Sequence, residues 1–598
     1  MNYPIVFPKH RSRVITLYEK IDRRIPARLF AQKMEKPDVS GIPYPLPSDP
    51  ASYTCMARGE DGVIWYGSGD SGVTRYAPNE VREADVIQYF SADRDLPDNK
   101  VRALWPDGHN VWVETEDGVA HIEMVEMTME EKANRLLKET LTAIDRHGMI
   151  TQRTLTRDND ITSFVPYGHS DNDGGFTAEF AIGEMMHFAV LEREKGAEDP
   201  ETIEARRVAT RAFEAALLLC YISGRGDGFV ARTYVTTAEP VPDDGLFYRK
   251  NGGKATCLET TSSRRRGLAG KVIDASAPVP DRLAALYRSE GFTDDDIIYK
   301  GDTSSDEITM HFMSMYYAQK ILAPDDEELN SLIKTAARAT MTHILDHHYT
   351  LCECDGKPTT WAKWNPEYFE SGLGYVDAPL NSAEILMYLK ATMVILNEKG
   401  RWQEAYEELL ALGYADLPAK HFDRFYQACV AAGIDLYEDI MYGDHALATY
   451  SFWGLLMFEE DAALRQKYID GFLTWRTSIG REHNPLSDFI YMIACPGTKI
   501  DVDALQEWFL RGNTSMIASS VTVKGRRDMP VHQLRQKKME TDWLLAPDER
   551  FISKFDRNFY GYKNMDVGGR RHVESCYLFT TPYWMGRYFG IIAPDTAE

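Results

Sequence analysis

The sequence has little positive charge and no long hydrophobic run. Its 67 Lys and Arg residues stand against 91 Asp and Glu residues, which gives a formal net charge of -24. Nucleic-acid binding needs basic patches that neutralise phosphates, so no nucleic-acid partner is expected, and an anionic membrane surface is disfavoured as well. The longest apolar run, residues 215–222, is far shorter than the roughly 20 residues of a transmembrane helix, so no membrane span is predicted.

Cysteines are few and the common nucleotide-binding patterns are missing. The eight cysteines are scattered without the regular spacing of a disulfide framework, so disulfides are not expected. The first ten residues lack a basic segment followed by an apolar one, which predicts a cytoplasmic protein unless a leader has been removed for export. No GxGxxG, GxxxxGK[ST] or GxSxG pattern occurs in a fitting context, and no cofactor is predicted.

The length of the chain favours two domains. A chain of 598 residues exceeds what one hydrophobic core normally serves, and 44% hydrophobic with 26% charged residues is ordinary for a globular protein. Short strand-like runs separated by turns fill the first part, and helical periods follow from residue 127. We therefore predict a small β region over residues 1–125 and a large helical domain over residues 126–598.

Two stretches of the β region are alike. Asp107-Gly108, Val111-Trp112-Val113 and Asp117-Gly118-Val119 form one pattern, and Asp61-Gly62, Ile64-Trp65 and Gly72-Val73 form a looser copy. These stretches resemble the two-component-regulator type of propeller repeat. Closed propellers use about four to eight blades, so two copies predict a small β appendage instead of a propeller.

The helical part shows apolar residues at three- and four-residue spacing in a long series of segments. Helices are predicted over residues 130–144, 176–194, 200–223, 306–322, 326–347, 381–397, 402–412, 421–432, 445–458 and 463–478. Antiparallel helix pairs repeated around one axis would close into an (α/α) toroid, so we predict a mainly α fold of that kind. The strand-like segment from residue 228 to 256 is predicted to form a hairpin beside the cleft.

Two acidic loops precede predicted helices and contain the candidate catalytic residues. One contains His169, Asp171, Asn172 and Asp173; the other runs from Asp302 through Asp306 and Glu307, with His311 one turn later. Carboxylates with a nearby His suit acid and base catalysis. Helix capping is the alternative interpretation, because Ser304 and Glu307 fit a capping box and Asp173 fits an N-cap.

Polar and aromatic residues also precede other helices, as stacking on sugar rings would require. Substrate-binding candidates are Asp171, Asn172, Arg232, Tyr234, Trp361, Trp364 and His445. The helix pairing and the acidic helix starts resemble the (α/α)-toroid carbohydrate-active enzymes, which include inverting glycoside hydrolases, unsaturated-uronyl hydrolases and polysaccharide lyases. That resemblance implies two catalytic carboxylates. Asp173 and Asp306 are the first pair, and Glu307, His169 and His311 are further catalytic candidates.

Three functions remain open at this stage. The first is hydrolysis of a glycosidic bond in an oligosaccharide, with or without uronate. The second is a lyase in which Tyr234 or a His removes a proton while Arg232 or Asn172 neutralises the uronate carboxylate. The third is a sugar-binding sensor without catalysis. No metal is predicted, because His343 and His347 are spaced four apart but lack the Glu of an HExxH motif. Self-association into a homo-oligomer is compatible with the sequence.

Overall fold

The structure is a computed structural model, and it describes residues 4–19, 24–92, 94–165, 168–432, 442–517, 523, 525–533, 539–540, 545–550 and 569–595. Its helices are α1 (Met129–Ala143), α2 (Asp173–Lys195), α3 (Pro200–Leu218), α4 (Thr261–Arg266), α5 (Asp281–Arg288), α6 (Ser305–Ile321), α7 (Glu327–Asp346), α8 (Pro366–Phe369), α9 (Gly374–Leu396), α10 (Arg401–Ala411), α11 (His421–Ala432), α12 (Tyr442–Phe458), α13 (Ala462–Ile479), α14 (Pro485–Ala494), α15 (Val502–Arg511) and α16 (Tyr577–Tyr588).

Strands occur before, between and after these helices. They are β1 (His10–Glu19), β2 (Tyr53–Arg58), β3 (Ile64–Ser68), β4 (Val73–Tyr76), β5 (Ile87–Phe90), β6 (Val101–Asp107), β7 (Asn110–Thr115), β8 (Gly118–Met127), β9 (Gln152–Thr154), β10 (Thr233–Thr236), β11 (Phe247–Asn251), β12 (Lys254–Cys257), β13 (Val272–Asp274), β14 (Ile297–Lys300), β15 (Thr350–Cys352), β16 (Pro358–Lys363), β17 (His532–Gln533), β18 (Met539–Glu540) and β19 (His572–Glu574).

The predicted fold class, a mainly α (α/α) toroid with a small N-terminal β region, is wrong. Helices make up 46% and strands 18% of the structure, and the architecture is mixed α and β. Two four-stranded sheets form the N-terminal region, and a five-stranded sheet in the order β10-β14-β11-β12-β13 lies within the helical part. The predicted hairpin is thus only part of that sheet, because β13 and β14 join it from later in the chain.

The two N-terminal sheets are antiparallel and share a core. One has the order β2-β3-β4-β5 and the other β1-β8-β7-β6. Trp65 on β3 packs in the shared core with Phe90 and Val113, whereas Trp112 packs in a separate cluster with Leu29. The two similar repeats therefore form sheets of similar form, but Trp65 and Trp112 pack in different hydrophobic clusters. Burial of such a side chain stabilises the fold by roughly 2 kcal/mol or more.

Central helices in the rest of the molecule are buried on nearly all sides. The helices α2, α6, α9 and α12 are apolar around their circumference, while α3 and α7 bury one face only. The central helix α2 contacts α6 and α16, α6 contacts α9, and α9 contacts α12. A helix that is apolar on every side must be surrounded by other elements, which explains why these helices occupy the core.

No helix among the described residues is both long and apolar enough to cross a bilayer.

Candidate active site at the starts of three central helices

Three half-buried aspartates stand at the starts of neighbouring central helices. Asp306 lies in the first turn of α6, Asp377 in the first turn of α9 and Asp444 in the first turn of α12. We call Asp306, Asp377 and Asp444 the acidic trio. Their charges act on one another: Asp306 and Asp377 both raise the pKa of Asp444, and Asp306 raises that of Asp377.

A close contact deeper in the core shows why the three helix starts meet. A methyl group on Gly454 of α12 would lie 2.6 Å from Met387 Cγ on α9 and 3.0 Å from Met313 Sδ on α6. Further contacts follow the same order along the chain: Thr309 bonds Glu384 and Gln319 bonds the backbone of Ile395, while Lys390 pairs with Glu459 just past α12. The three helices therefore run side by side in the same direction, and their first turns lie at the same end.

Asp444 holds its proton more strongly than an ordinary aspartate. Burial raises its pKa to about 8, and repulsion from Asp306 and then from Asp377 adds to the effect. Asp444 is only partly exposed, and the surrounding helices remove enough water to disfavour the charge. At neutral pH the carboxyl of Asp444 is therefore mostly protonated, as a general acid requires.

Asp377 is held by a tyrosine from the preceding short helix. The hydroxyl of Tyr368 donates a hydrogen bond of 2.5 Å to Asp377 Oδ2, and Lys363 Nζ lies 5.0 Å from the centre of the Tyr368 ring. Burial raises the pKa of Asp377, while the hydrogen bond from Tyr368 lowers it in part. This contact fixes the orientation of Asp377 toward the other two members of the trio.

A fully buried glutamate lies beneath the trio. Glu384, two turns further along α9, accepts hydrogen bonds from Trp364 Nε1 at 2.9 Å and from Thr309 Oγ1 at 3.2 Å. Burial raises its pKa to about 8, and the nearby charges of Asp306 and Asp444 contribute. Glu384 is therefore expected to be neutral. A negative charge at this buried position would have no cation as a partner among the described residues.

Glu307 and His311 are buried, unlike the half-buried aspartates of the trio. Glu307 accepts a hydrogen bond of 2.6 Å from the Gly175 amide and so caps α2, a neighbouring helix. The predicted capping box does not form, because Ser304 makes no side-chain bond to the start of its own helix. Burial raises the pKa of Glu307 well above its ordinary value and lowers that of His311 to about 4. A methyl group on Gly174 would lie 2.5 Å from Glu307 Oε2, so this contact needs glycine.

Asp173 is a structural residue in this fold. It is buried, and its Oδ2 accepts hydrogen bonds of 2.8 Å from Arg146 Nη2 and 2.6 Å from Thr233 Oγ1. Its other oxygen, Oδ1, accepts one of 3.0 Å from the Ser170 amide. A carboxylate whose oxygens are all engaged by protein donors cannot activate a water without breaking those bonds. The predicted pairing of Asp173 with Asp306 as catalytic acids is therefore corrected.

The polar side chains predicted to bind substrate near Asp173 hold the two loops together instead. Arg232 donates to the backbone oxygen of Asp171 at 2.6 Å, to Asn172 Oδ1 at 2.7 Å and to the backbone oxygen of Asp302 at 3.2 Å. Asp171 Oδ1 also accepts a bond of 2.5 Å from Lys300. Arg232, Asp171 and Asn172 thus join the loop before α2 to the loop before α6.

Half-buried His169 lies in the same loop and packs edge-on against an aromatic ring. Its ring centre is 5.8 Å from that of Phe247. Burial lowers its pKa, so the imidazole is neutral at physiological pH.

Among the aromatic and histidine residues predicted to bind substrate, some are buried and one is exposed. Tyr234 is fully buried on β10, and His445 is buried with its ring 5.0 Å from that of Trp475. Trp364 is fully buried and binds Glu384, whereas Trp361 is 45% exposed on β16. Trp361 is therefore the candidate that offers an exposed aromatic face.

Sequence reasoning missed two residues of the candidate site and only noted a third. Asp377 and Glu384 were absent from the predicted set, while Asp444 stood out only as a polar residue before a predicted helix. Glu384 could have been found as an isolated acid in the apolar run from residue 378 to 396. Among the residues that the structure describes, no group of three or more His, Cys, Asp or Glu side chains is arranged to hold a metal ion.

Comparison with known proteins identifies no relative of this chain. No protein-family model, no curated protein and no solved structure matches the chain.

Proposed function

We propose that the protein hydrolyses a glycosidic bond in an oligosaccharide, with Asp444 as the general acid. One observation supports this proposal: three carboxyl groups stand in the first turns of neighbouring helices, close enough for their charges to act on one another, and burial favours the protonated form of Asp444. Glycosidases need one protonated and one ionised carboxyl group on either side of the bond that breaks. The acidic trio supplies candidates for both.

The roles within the trio follow from its electrostatics. Asp444 protonates the leaving oxygen as the bond to the anomeric carbon breaks. Asp306 accepts a proton from the water that attacks the anomeric carbon from the opposite side, which inverts the configuration. Asp306 is also the carboxylate that most strongly raises the pKa of Asp444 after burial itself. Asp377, fixed by Tyr368, positions the water or a sugar hydroxyl.

Residues of β16 suit the binding of a sugar ring. Exposed Trp361 offers a face for the apolar C–H surface of a pyranose. Its neighbour Thr360 is fixed by Asp302, which accepts 2.8 Å bonds from the Thr360 amide and hydroxyl. Lys363, two residues beyond Trp361 on the same strand, adds a positive charge that a uronate would use. An oligosaccharide, neutral or containing uronate, fits this chemistry.

The lyase alternative has less support. Its proposed base, Tyr234, is buried, and its hydroxyl points to the backbone oxygen of His147 at 3.4 Å. Its proposed carboxylate ligand, Arg232, is occupied by the two loops that it joins. A lyase would therefore have to use its alternative residues, a His as the base and Asn172 at the carboxylate.

The experiment that tests the proposal incubates the full chain with neutral and uronate-containing oligosaccharides. Hydrolysis gives new reducing ends without the ultraviolet absorbance of an unsaturated uronate, and proton NMR at early times gives the inverted anomer. Asp306→Asn and Asp444→Asn should each lower kcat by about 10²–10⁴-fold, the size of a general acid or base contribution. Asp416→Asn, an aspartate paired with Lys467 outside the trio, is the matched control. Full turnover in either trio variant contradicts the proposal.

The proposal also covers the cellular location of the protein and its self-association. The cysteines in the described residues are free thiols, which suits the reducing cytoplasm. A homo-oligomer is compatible with the activity, and no step of the mechanism needs a second copy.

A further inference from the structure

A buried hydrogen-bonded cluster joins α9 to the first turn of α6. It consists of Glu384 and Tyr388 on α9 and of Ser305 and Thr309 on α6. All four side chains are buried. Ser305 is the first residue of α6 and precedes Asp306 directly. The cluster therefore holds the stretch of backbone that carries the proposed catalytic base.

The hydroxyl of Thr309 lies at the centre of this cluster. Its oxygen is 2.6 Å from the Tyr388 hydroxyl, 3.2 Å from Glu384 Oε1 and 3.3 Å from the backbone oxygen of Ser305. Each of these three contacts needs one hydrogen. Thr309 has a single hydroxyl hydrogen, Tyr388 has another, and the Ser305 oxygen can only accept. Two hydroxyl hydrogens thus serve three contacts.

The missing hydrogen has one available source, the carboxyl of Glu384. If Thr309 donates to Glu384, its only hydrogen is used there, and the contact between Thr309 and the Ser305 oxygen has none. If a protonated Glu384 donates instead, Thr309 is free to donate to Ser305 while Tyr388 donates to Thr309. All three contacts are then hydrogen bonds, and the Thr309 oxygen has its full complement of one donated and two accepted bonds.

The surroundings of Glu384 favour the protonated form. Trp364 Nε1 donates to Glu384 Oε2 at 2.9 Å, and an indole nitrogen does not accept. The charges that face Glu384 belong to Asp306 on α6 and Asp444 on α12, and both are negative. Burial first, and these charges in addition, raise the pKa of Glu384 to about 8, so its carboxyl has a proton at neutral pH.

We propose that Glu384 is a positioning residue for Asp306. Its neutral carboxyl donates to Thr309, and the Thr309 hydroxyl then donates to the backbone oxygen of Ser305. When Glu384 loses its proton, Thr309 turns its hydrogen to the stronger acceptor, the carboxylate. Ser305 is then left with the 3.4 Å contact to the Tyr388 hydroxyl as its only side-chain donor among the described residues. The first turn of α6 is held less firmly, and Asp306 with it. This role rests on the proposed hydrolysis, in which Asp306 is the base.

Hydrogen exchange tests the role of the Glu384 proton without any turnover. The full chain and its Glu384→Gln variant are compared by mass spectrometry of residues 305–312 at about pH 6.5 and about pH 9, on either side of the raised pKa of Glu384. A glutamine amide also accepts from Trp364 and donates to Thr309, but it cannot ionise. The two proteins should therefore exchange alike at the lower pH.

At the higher pH the two proteins should differ. Glu384 has lost its proton there, so residues 305–312 of the unmodified protein should exchange about three- to tenfold faster than those of Glu384→Gln, which is the size of one hydrogen bond. The ionisation of Asp444 occurs in both proteins and cancels in the comparison. Equal exchange at the higher pH refutes the role of the Glu384 proton. A difference already present at the lower pH refutes it as well, because Glu384 would then be ionised at neutral pH.

Kinetics test the positioning of Asp306. Thr309→Val removes the hydroxyl with little change of shape and should lower kcat by about tenfold while KM stays within about twofold, because a base that acts on water is loosened. Thr309→Ser restores the hydroxyl and should restore kcat. Thr392→Val is the matched control, since Thr392 is a buried threonine of α9 whose hydroxyl donates to the backbone of its own helix. A Thr309→Ser protein as slow as Thr309→Val assigns the effect to packing and overturns the proposal.

A second comparison applies if Glu384→Gln does not fold. Thr309→Val lacks the bond to Ser305 at every pH, so its residues 305–312, corrected for intrinsic exchange rates, should exchange faster than those of Thr392→Val at about pH 6.5. That difference should disappear at about pH 9, where Glu384 no longer donates; a difference that stays constant refutes the proposal. If the unmodified protein hydrolyses no oligosaccharide, the proposed function fails, and the exchange measurements still decide the role of the Glu384 proton.

Discussion

At the scale of single residues, the protonation of Asp444 sets the pH range in which the proposed chemistry runs. An aspartate normally loses its proton near pH 4, but burial and the charges of Asp306 and Asp377 raise the pKa of Asp444 to about 8. Only the protonated form can donate to a leaving oxygen. Activity is therefore expected to be lost as the pH rises through about 8, which is the basic limb of the pH–rate profile.

Asp377→Asn tests whether the trio is coupled as the structure indicates. The substitution removes a negative charge that helps Asp444 to keep its proton, so Asp444 should ionise at lower pH. We expect the basic limb of the kcat/KM profile to move to lower pH by up to about one unit, with a smaller loss of kcat than in Asp444→Asn. Asp416→Asn is the control, and its profile should match that of the unmodified protein. A basic limb that stays in place or moves to higher pH would refute the coupling.

The sequence could predict Asp306 but not its partners. Asp306 stands beside a recognisable acidic loop, and helical spacing follows it at once. Asp173 has the same local pattern, yet Arg146 and Thr233 neutralise and bury it. Those two residues are distant in the chain, so the burial and neutralisation of Asp173 are tertiary properties that no local pattern specifies.

At the scale of elements, one proline lies where a helix prediction was wrong. Helix α9 was expected to begin at residue 381. It instead begins at Gly374 with Pro379 inside it, although proline removes a backbone donor and disfavours helix interiors. This earlier start places Asp377 in the first turn. Seven of the other predicted helices begin within two residues of an observed helix, because their apolar spacing was uninterrupted.

The contact between α2 and α16 gives a prediction at this scale. A methyl group on Gly183 of α2 would lie 2.8 Å from the Thr581 Cα atom of α16, so Gly183→Ala must push two buried helices apart. Overpacking of this kind costs about 1–3 kcal/mol, and we expect a lower midpoint of urea unfolding followed by circular dichroism. Gly480→Ala is the control, since its new methyl group would approach no atom closer than 3.5 Å. A Gly183→Ala protein as stable as the control would show that the helices are not in such close contact.

At the scale of the whole molecule, the pairing of strands into sheets could not be predicted from local sequence patterns. Strand β10 pairs with β14, which places Thr233 opposite Lys300, and β1 pairs with β8, which places His10 opposite Met127. Such pairs join segments more than 60 residues apart, and no local pattern specifies them. Local patterns suggested a hairpin and a small appendage, whereas long-range pairing completes a five-stranded sheet and two four-stranded sheets.

Buried ion pairs join the N-terminal sheets to the rest of the chain. Arg511, at the end of α15, donates two 2.8 Å bonds to Asp548, and Arg13 of β1 lies 3.8 Å from the same carboxylate. All three side chains are buried. Arg511 and Arg13 lower the pKa of Asp548 although burial opposes this. The cluster therefore stabilises the folded state above the ordinary pKa of an aspartate and loses that contribution as the pH falls through the lowered value.

Arg511→Met tests how strongly this cluster holds the molecule together. The substitution leaves Asp548 buried with the more distant Arg13 and Arg94 as charge partners, and breaking a buried pair in this way costs about 3–5 kcal/mol. We expect a lower midpoint of urea unfolding at pH 7, and the deficit should shrink toward acidic pH, where Asp548 is protonated in both folded and unfolded chains. The double variant Arg511→Met/Asp548→Leu removes both charges and should recover most of the loss, since apolar replacement of a buried pair is often neutral. A double variant no more stable than Arg511→Met would mean that packing of the arginine, and not its charge, joins the sheets to the helices.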